Sequence, residues 1–415
     1  MRRGIISKKI LGSDSMKNDL LKNLSKFIGS GCTPSRKNSS YWNSKDFFWL
    51  KTEQLGEYKI QKTSEFISQK AVDECNLKIY PQNTISVAMY GEGKTRGNVS
   101  LIDSPMATNQ ACCNIEIDSK KIDYGYVYYY LKNQYETLRR LSAGVRKNLN
   151  SDDIKNFPII YPEDKSLQKK ISSVLFSLDE KISLNKKINA TLEDMAKTIY
   201  DYYFVQFDFP DENGKPYKSS GGKMIFSPEL QREIPEGWQV GNLNLIADII
   251  AGGDRPDEIS NFKTKEFSIP IYSNSTEKQG LYGFSKNSSI KKDSITIAAR
   301  GNIGYAVLRK KNFLPIIRLI VITPNENIYL EYIYHFFKNY SYRKNGSVQQ
   351  QLTVPQVKEI NLVIPPTNIL RKYHNFVDSN IKKQFQILEE NNLLENLRDF
   401  LLPLLMNGQV SFKEE

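Results

Sequence analysis

"LNSDDIKNFPIIYP", Leu149 to Pro162, returns later in the chain as "LTVPQVKEINLVIPP", Leu352 to Pro366, and each copy runs straight into a long helical stretch. The register holds over many positions: Leu149 with Leu352, Ile154 with Val357, Lys155 with Lys358, Ile159 with Leu362, Ile160 with Val363, Pro162 with Pro365 and Leu167 with Leu370. Every pair is separated by the same number of positions, which marks a duplicated unit. Two copies of a globular unit plus a helix, in a chain with excess positive charge, describe a molecule that touches two similar surfaces at once. Duplex DNA with two half-sites is the leading candidate.

At 415 residues, 40% hydrophobic and 25% charged, the chain has the composition of an ordinary soluble protein with at least two cores. A net charge of +12 and a pI near 9.2 favour an anionic partner. Cys32, Cys75, Cys112 and Cys113 show neither CxxC spacing nor a disulfide framework, so a reducing, cytoplasmic compartment is expected. With only His335 and His374 and no HExxH, a zinc site is not expected. No run of eighteen apolar residues exists to span a membrane. The start, "MRRGIISKKILGSDSMKNDL", has too short an apolar run for a signal peptide; residues 1–20 read as a tail, with Met16 a second candidate start.

Residues 21–163 read as one mixed unit. β-rich runs such as "TISVAMY" (Thr84 to Tyr90) and "ACCNIEI" (Ala111 to Ile117) are broken by Gly, Asn and Asp turns. An aromatic segment, "YGYVYYYLKN" (Tyr124 to Asn133), then looks helical, and "YIYHFFKN" (Tyr332 to Asn339) is its partner in the second half. Tyr126, Tyr128 and Tyr130 match Tyr332, Tyr334 and Phe336. Stacked aromatics can bind bases, but an aromatic face at helical spacing reads first as packed core.

After Pro162 the periodicity becomes helical. Ile171, Leu175, Leu178 and Ile182, then Ile188, Leu192, Met195 and Ile199, fall at spacings of three and four, the stripe of a coiled-coil helix over residues 164–204, with Ser166 as a candidate N-cap. About 38 residues at a rise of about 1.5 Å make a rod on the order of 57 Å. The second copy, 367–408, shows Val377, Ile381, Phe385 and Leu388, then Leu394, Leu397, Leu401 and Leu404. Thr367 or Asn368 would cap it, Pro403 would kink its last turn and Gly408 would end it. Each stripe suits a partner helix, and the two can pack against each other in the same molecule. The stripe residues expected at that packing are Ile171, Leu175, Leu178, Ile182, Leu192, Met195, Val377, Ile381, Leu388, Leu394, Leu397 and Leu401.

Residues 205–236 form a turn-rich linker, marked by Pro210, Asn213, Gly214, Pro216 and the Ser219 to Gly222 cluster. The second unit runs over 237–366, and residues 409–415 are a C-terminal tail. Its "SITIAARGNIGYAV" (Ser294 to Val307) corresponds to "TISVAMYGEGKTRGNVSL", with Gly301 on Gly91 and Gly304 on Gly97 across a three-residue length difference. "AMYGEGKT", Ala88 to Thr95, ends like a phosphate-binding loop. That pattern needs glycine where Ala88 stands, and "ARGNIGYA" has no Lys-Thr pair, so the segment reads as a tight strand connection.

In this order, duplicated, the pieces resemble the specificity subunit of a type I restriction-modification system. They are "GSGCTPSRKNSSYW" (Gly29 to Trp42), the "MYGEGKTRGNV" and "AARGNIGYAV" turns, and Asn109-Gln110. To these are added the paired "LNSDDIKNFPIIYP" and "GSVQQQLTVPQVKEINLVIPP" blocks, the linker "FPDENGKPYKSSGGKM", "IPEGW" at Ile234 to Trp238 and the closing "LENLRDFLLPLLMNG". The similarity covers nearly all of the chain after about residue 20. It implies an α+β fold: two similar mixed α/β target recognition domains separated by two long antiparallel coiled-coil helices, an internal pseudo-twofold repeat. Each domain would read one half of a split, asymmetric DNA site, and the helices would set the spacer. They would also dock two methyltransferase (modification) subunits, with restriction (translocase/nuclease) subunits joining to cleave. S-adenosylmethionine and ATP would sit on those partners and no cofactor on this chain. The residues agree that the chain is not an enzyme: the only Pro-Pro, Pro365-Pro366, follows Ile364 and ends a strand, and no Ser/His/Asp or Cys/His arrangement is in view.

Lys and Arg on phosphates would position the duplex, and Arg, Lys, Asn and Gln would reach base edges. The segment ahead of each repeat block is rich in these types: Arg139, Arg140, Arg146, Lys147 and Asn148 in the first unit, and Arg343, Lys344, Asn345, Gln349, Gln350 and Gln351 in the second. Lys94 and Arg96, and Arg300 with Asn302, are further loop candidates, and Arg36 and Lys37 follow Pro34. A solvated polar loop would look the same at any one residue; the coincidence of both copies points to the loop. The second unit shows "PIIRLIVIT" (Pro315 to Thr323) where the first has Asn109-Gln110, which predicts different half-sites. The alternatives are an autonomous sequence-specific or architectural DNA-binding protein without enzyme partners, an ATP-using enzyme built on Gly91 to Thr95, and a structural coiled coil.

Overall fold

The computed structural model describes residues 6–7, 16–91, 93–141, 148–342 and 351–412. They fall into two units, one of residues 1–187 and 388–415 and one of residues 188–387.

Within the first unit the apolar runs form a five-stranded sheet in the order Ser25–Ser30, Cys112–Ile117, Ile85–Ala88, Val99–Ile102, Lys59–Ile60. Both faces of its centre are covered, so the central strands read as continuous apolar runs and are buried along their length. A three-stranded sheet of Glu65–Ile67, Phe47–Leu50 and Met106–Thr108 stands beside it, its last pair parallel. The tyrosine helix Tyr124–Asn133 is capped by Asp123 and buried almost throughout. Tyr126, Tyr128 and Tyr130 are therefore core, and the Tyr126 hydroxyl donates to the Ile160 carbonyl at 3.0 Å. The repeat block forms a capped helical turn, Ser151–Lys155, and a strand, Pro158–Pro162. That strand pairs with Met16–Leu20, within the span read from sequence as a tail. "MKNDL" has no apolar alternation to announce a strand; backbone pairing alone makes it one. Ile6–Ser7 likewise pairs with Ser411–Phe412.

The second unit repeats this plan. Its four-stranded sheet runs Ala247–Ala251, Ile320–Pro324, Ser294–Ile297, Ala306–Arg309, and its three-stranded sheet Leu281–Ser285, Ile269–Tyr272, Leu314–Pro315, again with a parallel last pair. The repeat extends to single hydrogen bonds. Leu149 N–H donates to Met89 O at 3.1 Å, and Leu352 N–H to Ala299 O at 2.9 Å. Leu21 N–H donates to Phe157 O, and Leu243 N–H to Ile360 O, each at 2.9 Å. Gly97 closes on Ala88 as Gly304 closes on Ala298, with φ of +88° and +87°, a backbone that glycine alone adopts without strain. The segment read as a linker contains a hairpin, Met224–Ser227 with Arg232–Pro235, and Phe207, Phe209 and Trp238 pack beside it.

The first long helix runs Lys165–Tyr200, followed by a π-helical turn at Asp201–Val205; the second runs Thr367–Met406 through Pro403. Asp164, not Ser166, closes the first helix's start, its carboxylate accepting from Ser166 N–H at 2.8 Å. Gly408, at φ +66°, ends the second, where Gln409 N–H reaches Leu404 O at 2.9 Å. The helices pack together, and their seam departs from the expected apolar stripe. In the first unit Asn185, 1% exposed, donates to Asn391, 6% exposed, at 2.8 Å. Asp179 accepts from Arg398 at 2.7 Å and from the Tyr129 hydroxyl at 2.9 Å. In the second unit Asn189 and Gln384 exchange side chain-to-carbonyl contacts at 3.5 and 3.4 Å. Ile171, Leu175, Ile182, Val377, Ile381 and Leu401 are buried, and Leu178, Leu192, Leu388 and Leu394 are half-buried. Met195 and Leu397, at 47% and 45% exposed, lie off the seam. A straight α-helix drifts about 20° per heptad against a strict seven-residue pattern, and paired amides fill the positions that drift inward because each satisfies the other.

Candidate nucleic-acid interface

In each unit the loops at one end of the sheets are tied together by main-chain bonds, and the exposed polar residues sit on those loops. In the first unit Gly31 passes so close to the strand end that an added Cβ would lie 2.0 Å from Thr108 O. Only glycine allows that approach, which lets Cys32 N–H donate to Thr108 O at 2.9 Å. It also brings Thr33 to Gln110, whose side-chain oxygen accepts the Thr33 hydroxyl. Asn109 turns the chain by accepting Ala111 N–H at 3.1 Å, and Met89 N–H donates to Ala111 O at 2.9 Å. Met89 also accepts Leu149 N–H, so the Asn109-Gln110 turn, the 89–98 hairpin loop and the start of the repeat block share one junction. The hairpin loop is strapped to the helix Tyr135–Arg140: Tyr135 donates to Lys94 O at 2.7 Å and Arg139 to Gly93 O at 2.8 Å. Lys94, Arg140 and Asn148 are exposed there, and Arg96 is half-buried. The strand Val99–Ile102 follows this loop, whereas a phosphate-binding loop opens a helix.

The second unit builds the same junction from different residues. Gly252 takes the place of Gly31, its added Cβ 2.8 Å from Pro315 O. Ile317 and Arg318 stand at the corner that Gln110 and Ala111 occupy in the first unit. Both have left-handed backbone, φ +55° and +57°. Arg318 lies 3.7 Å from Asp254, the counterpart of Thr33. Asn274 ties two loops at once: it accepts Ala299 N–H at 2.7 Å and donates to Ile317 O at 2.7 Å. Arg300 donates to Gln351 at 2.8 Å, and Asn302 contacts Thr276 at 3.4 Å. Lys278 and Gln279 form a second left-handed pair, φ +46° and +54°, and the Gln279 carbonyl is held by Arg309. Arg309 is buried with its guanidinium 3.8 Å over the Tyr272 ring, and burial pulls it down to about 10.

The structure thus brings Arg300, Asn302 and Gln351 to one junction in the second unit, and Lys94, Arg96 and Asn148 to its counterpart in the first. Arg146, Lys147, Arg343, Lys344, Gln349 and Gln350 lie outside the described residues. Asn274, Lys278, Arg309, Ile317 and Arg318 also stand at this junction and were not singled out in the sequence. The available signal was "AGGDRP" (Ala251 to Pro256), which repeats the Gly-turn of "GSGCTPS" and so aligns the corner. Among the described residues no group of His, Cys, Asp and Glu is arranged to hold a metal ion, and no helix is long and apolar enough to cross a membrane.

Two copies of one mixed α/β unit, each presenting a polar loop junction and joined to two long packed helices, define a duplicated, scaffold-like class of protein. The type I restriction modification DNA specificity domain matches residues 17–194 and again 235–397. The chain therefore belongs to that family and is the DNA specificity subunit, a non-catalytic component, of a type I restriction-modification system. It is 27% identical over 422 aligned positions to the type I restriction enzyme MjaIX specificity subunit of Methanocaldococcus jannaschii, covering 93% of this chain and 92% of that one. To the HindI specificity subunit of Haemophilus influenzae it is 21% identical, over 66% of this chain and 74% of that one. The crystal structure of a type I restriction-modification S subunit from M. genitalium shares the fold, with a TM-score of 0.63 at 19% identity over 98% of both chains.

Proposed function

We propose that each unit reads one half of a bipartite, asymmetric DNA site through its loop junction. The carrying observation is that the two junctions share main-chain bonds, Gly31 N–H to Cys112 O as Gly252 N–H to Leu319 O and Leu149 N–H to Met89 O as Leu352 N–H to Ala299 O, while the side chains on them differ: Thr33 and Gln110 in one, Asp254 and Arg318 in the other. A common frame with unlike side chains suits two readers of two unlike sequences. Lys94, Arg96, Arg140, Asn148, Arg300, Asn302 and Gln351 contact DNA on this reading, joined by Arg146, Lys147, Arg343, Lys344, Gln349 and Gln350. The working parts are domains at 21–163 and 237–366, helices at 164–204 and 367–408, and the connection 205–236.

The long helices set the spacer between half-sites and dock two methyltransferase subunits, with restriction subunits joining them. Supporting this is the division of their apolar residues: the seam mixes buried apolar side chains with paired amides, while Leu184, Met195, Leu393, Leu397 and Phe400 stay exposed. Exposed apolar side chains on a helix suit a protein partner. S-adenosylmethionine and ATP belong to those partners, and the complex works on DNA in the cytoplasm. The test is purification of this chain with its co-precipitating proteins, followed by DNA binding across salt. The expected result is an adenine methyltransferase at roughly two copies per chain, with affinity falling about 0.9 log unit per log salt for each neutralised phosphate. Recovery alone, with salt-independent or no retention on DNA, would overturn it.

A further inference from the structure

We infer that Ile317 is a specificity-determining residue of the second unit, an apolar side chain that contacts a base pair of the second half-site. This rests on the DNA-reading function proposed above. Ile317 is β-branched and sits at φ +55°, a conformation that such residues almost never adopt. The strain is held from both ends: Ile317 N–H donates to Gly253 O at 2.9 Å, and its carbonyl accepts from Asn274 at 2.7 Å. A corner that must turn this way would be most stable with glycine or asparagine. Isoleucine there gains little for the fold, since the residue is 48% exposed and joins neither apolar cluster of the unit. Strain retained by a well-fixed corner, with an apolar tip left in solvent, points to a use outside the fold.

The surroundings state what that use is. Arg318 follows directly and is exposed, Arg300 is exposed next to Ala299, which shares Asn274 with the corner, and the Asn274–Gly280 turn carries exposed Lys278. Exposed Asp254, paired with Arg318, and exposed Glu277 stand among these cations; an apolar tip beside Arg318, Arg300 and Lys278 fits a nucleic-acid groove, where the cations meet phosphates and the apolar group meets a thymine methyl or the stacked edge of a base step. A protein-binding patch would instead group exposed apolar residues, whereas the exposed neighbours Arg300, Arg318 and Lys278 are charged and the apolar Ala299 and Ile316 are buried. The equivalent corner of the first unit carries Gln110, a hydrogen-bonding side chain, so the two corners would read by different chemistry.

The test is modified-base sequencing of the native host, whose chromosomal copy of this chain is replaced by full-length Ile317→Ala or Ile317→Gly and assembled with its own partners. The expected result is a second half-site whose discrimination at one or two adjacent base pairs falls about tenfold, while the first half-site is unchanged. The Ile317→Gly chain, which accepts the left-handed backbone, should melt no lower than wild type, which a structural role for the side chain would not allow. An unchanged second half-site in both variants would overturn the inference, as would equal loss at both half-sites with a lowered melting point. If deleting this chain leaves the host's modification pattern intact, the DNA-reading function itself fails, and that outcome is distinct from the other two.

Discussion

Replacing Arg398 by alanine removes one member of a buried ionic cluster in the first unit. Asp179 is buried and accepts from Arg398 at 2.7 Å and from the Tyr129 hydroxyl at 2.9 Å, with Lys132 at 3.6 Å. Burial lowers the Arg398 guanidinium, but the hydrogen bond and charge of Asp179, with those of Asp399, outweigh it and hold it above its ordinary value. Breaking a buried pair from one side costs about 3–5 kcal/mol because a charge is left uncompensated. Here Asp179 keeps Tyr129 and Lys132, so the cost falls to about 2–3 kcal/mol. For a unit of this size that is a drop of about 4–12 °C in the unfolding midpoint, at roughly 2–4 °C per kcal/mol. The assay is denaturant and thermal unfolding of the full-length chain, with Asp179→Leu/Arg398→Leu as the control. If the pair acts as described, the double replacement costs less than the sum of Arg398→Ala and Asp179→Leu made singly, since the two losses are coupled, although it too leaves the Tyr129 hydroxyl and Lys132 without the carboxylate. A loss below about 0.5 kcal/mol for Arg398→Ala, or costs that simply add in the double variant, would refute the reasoning.

His335 gives the second unit acid sensitivity. It is 1% exposed, neither ring nitrogen has a hydrogen-bond partner among the described residues, and burial pulls it down to about 4, with Glu193, Asp201, Lys197 and Lys338 as the charged groups acting on it. The neutral ring is favoured in the fold, so the unfolded chain binds the extra proton between pH ~6.5 and ~4, and stability falls as pH drops through that window, by about 2 kcal/mol at pH 5. His374 acts in the opposite sense: its hydrogen bond with Glu331 raises it, a contribution present below about pH 6.5 and lost as pH rises through the folded value. Titration of thermal midpoints should show the acid loss in wild type and a flatter acid limb in His335→Phe. Asn274→Ala frees Ala299 N–H and the Ile317 carbonyl and should cost about 2 kcal/mol by denaturant unfolding, with a weaker preference at the second half-site alone. Gly31→Ala forces a methyl onto Thr108 O and should cost about 2–3 kcal/mol, read by the same unfolding assay.

The duplication was legible because its signals are local: the repeat block, the Gly turns and the tyrosine helix each carry a periodicity or a turn residue, and the hydrogen bonds from Leu149 and Leu352 fall where that register put them. The strand Met16–Leu20 was not, because its pairing with Pro158–Pro162 is set by main-chain partners far along the chain. The helix seam was legible in its apolar residues but not in its polar ones. A hydrophobic stripe search rewards Met195 and Leu397 and passes over Asn185 and Asn391, whose burial makes sense only once each is seen to satisfy the other. The corner at Ile317 and Arg318 carried no sequence signal of its own, since nothing in those residue types announces left-handed backbone; it was reachable only through Gly31 and its counterpart Gly252.

The measurement that tests the two-reader account most directly is an exchange of residues 237–366 for the corresponding segment of another specificity subunit, followed by mapping of the modified bases in the host. The account predicts a hybrid site whose first half and spacer are retained and whose second half is that of the donor. A hybrid that alters both halves together, or that leaves the original site unchanged, would contradict it.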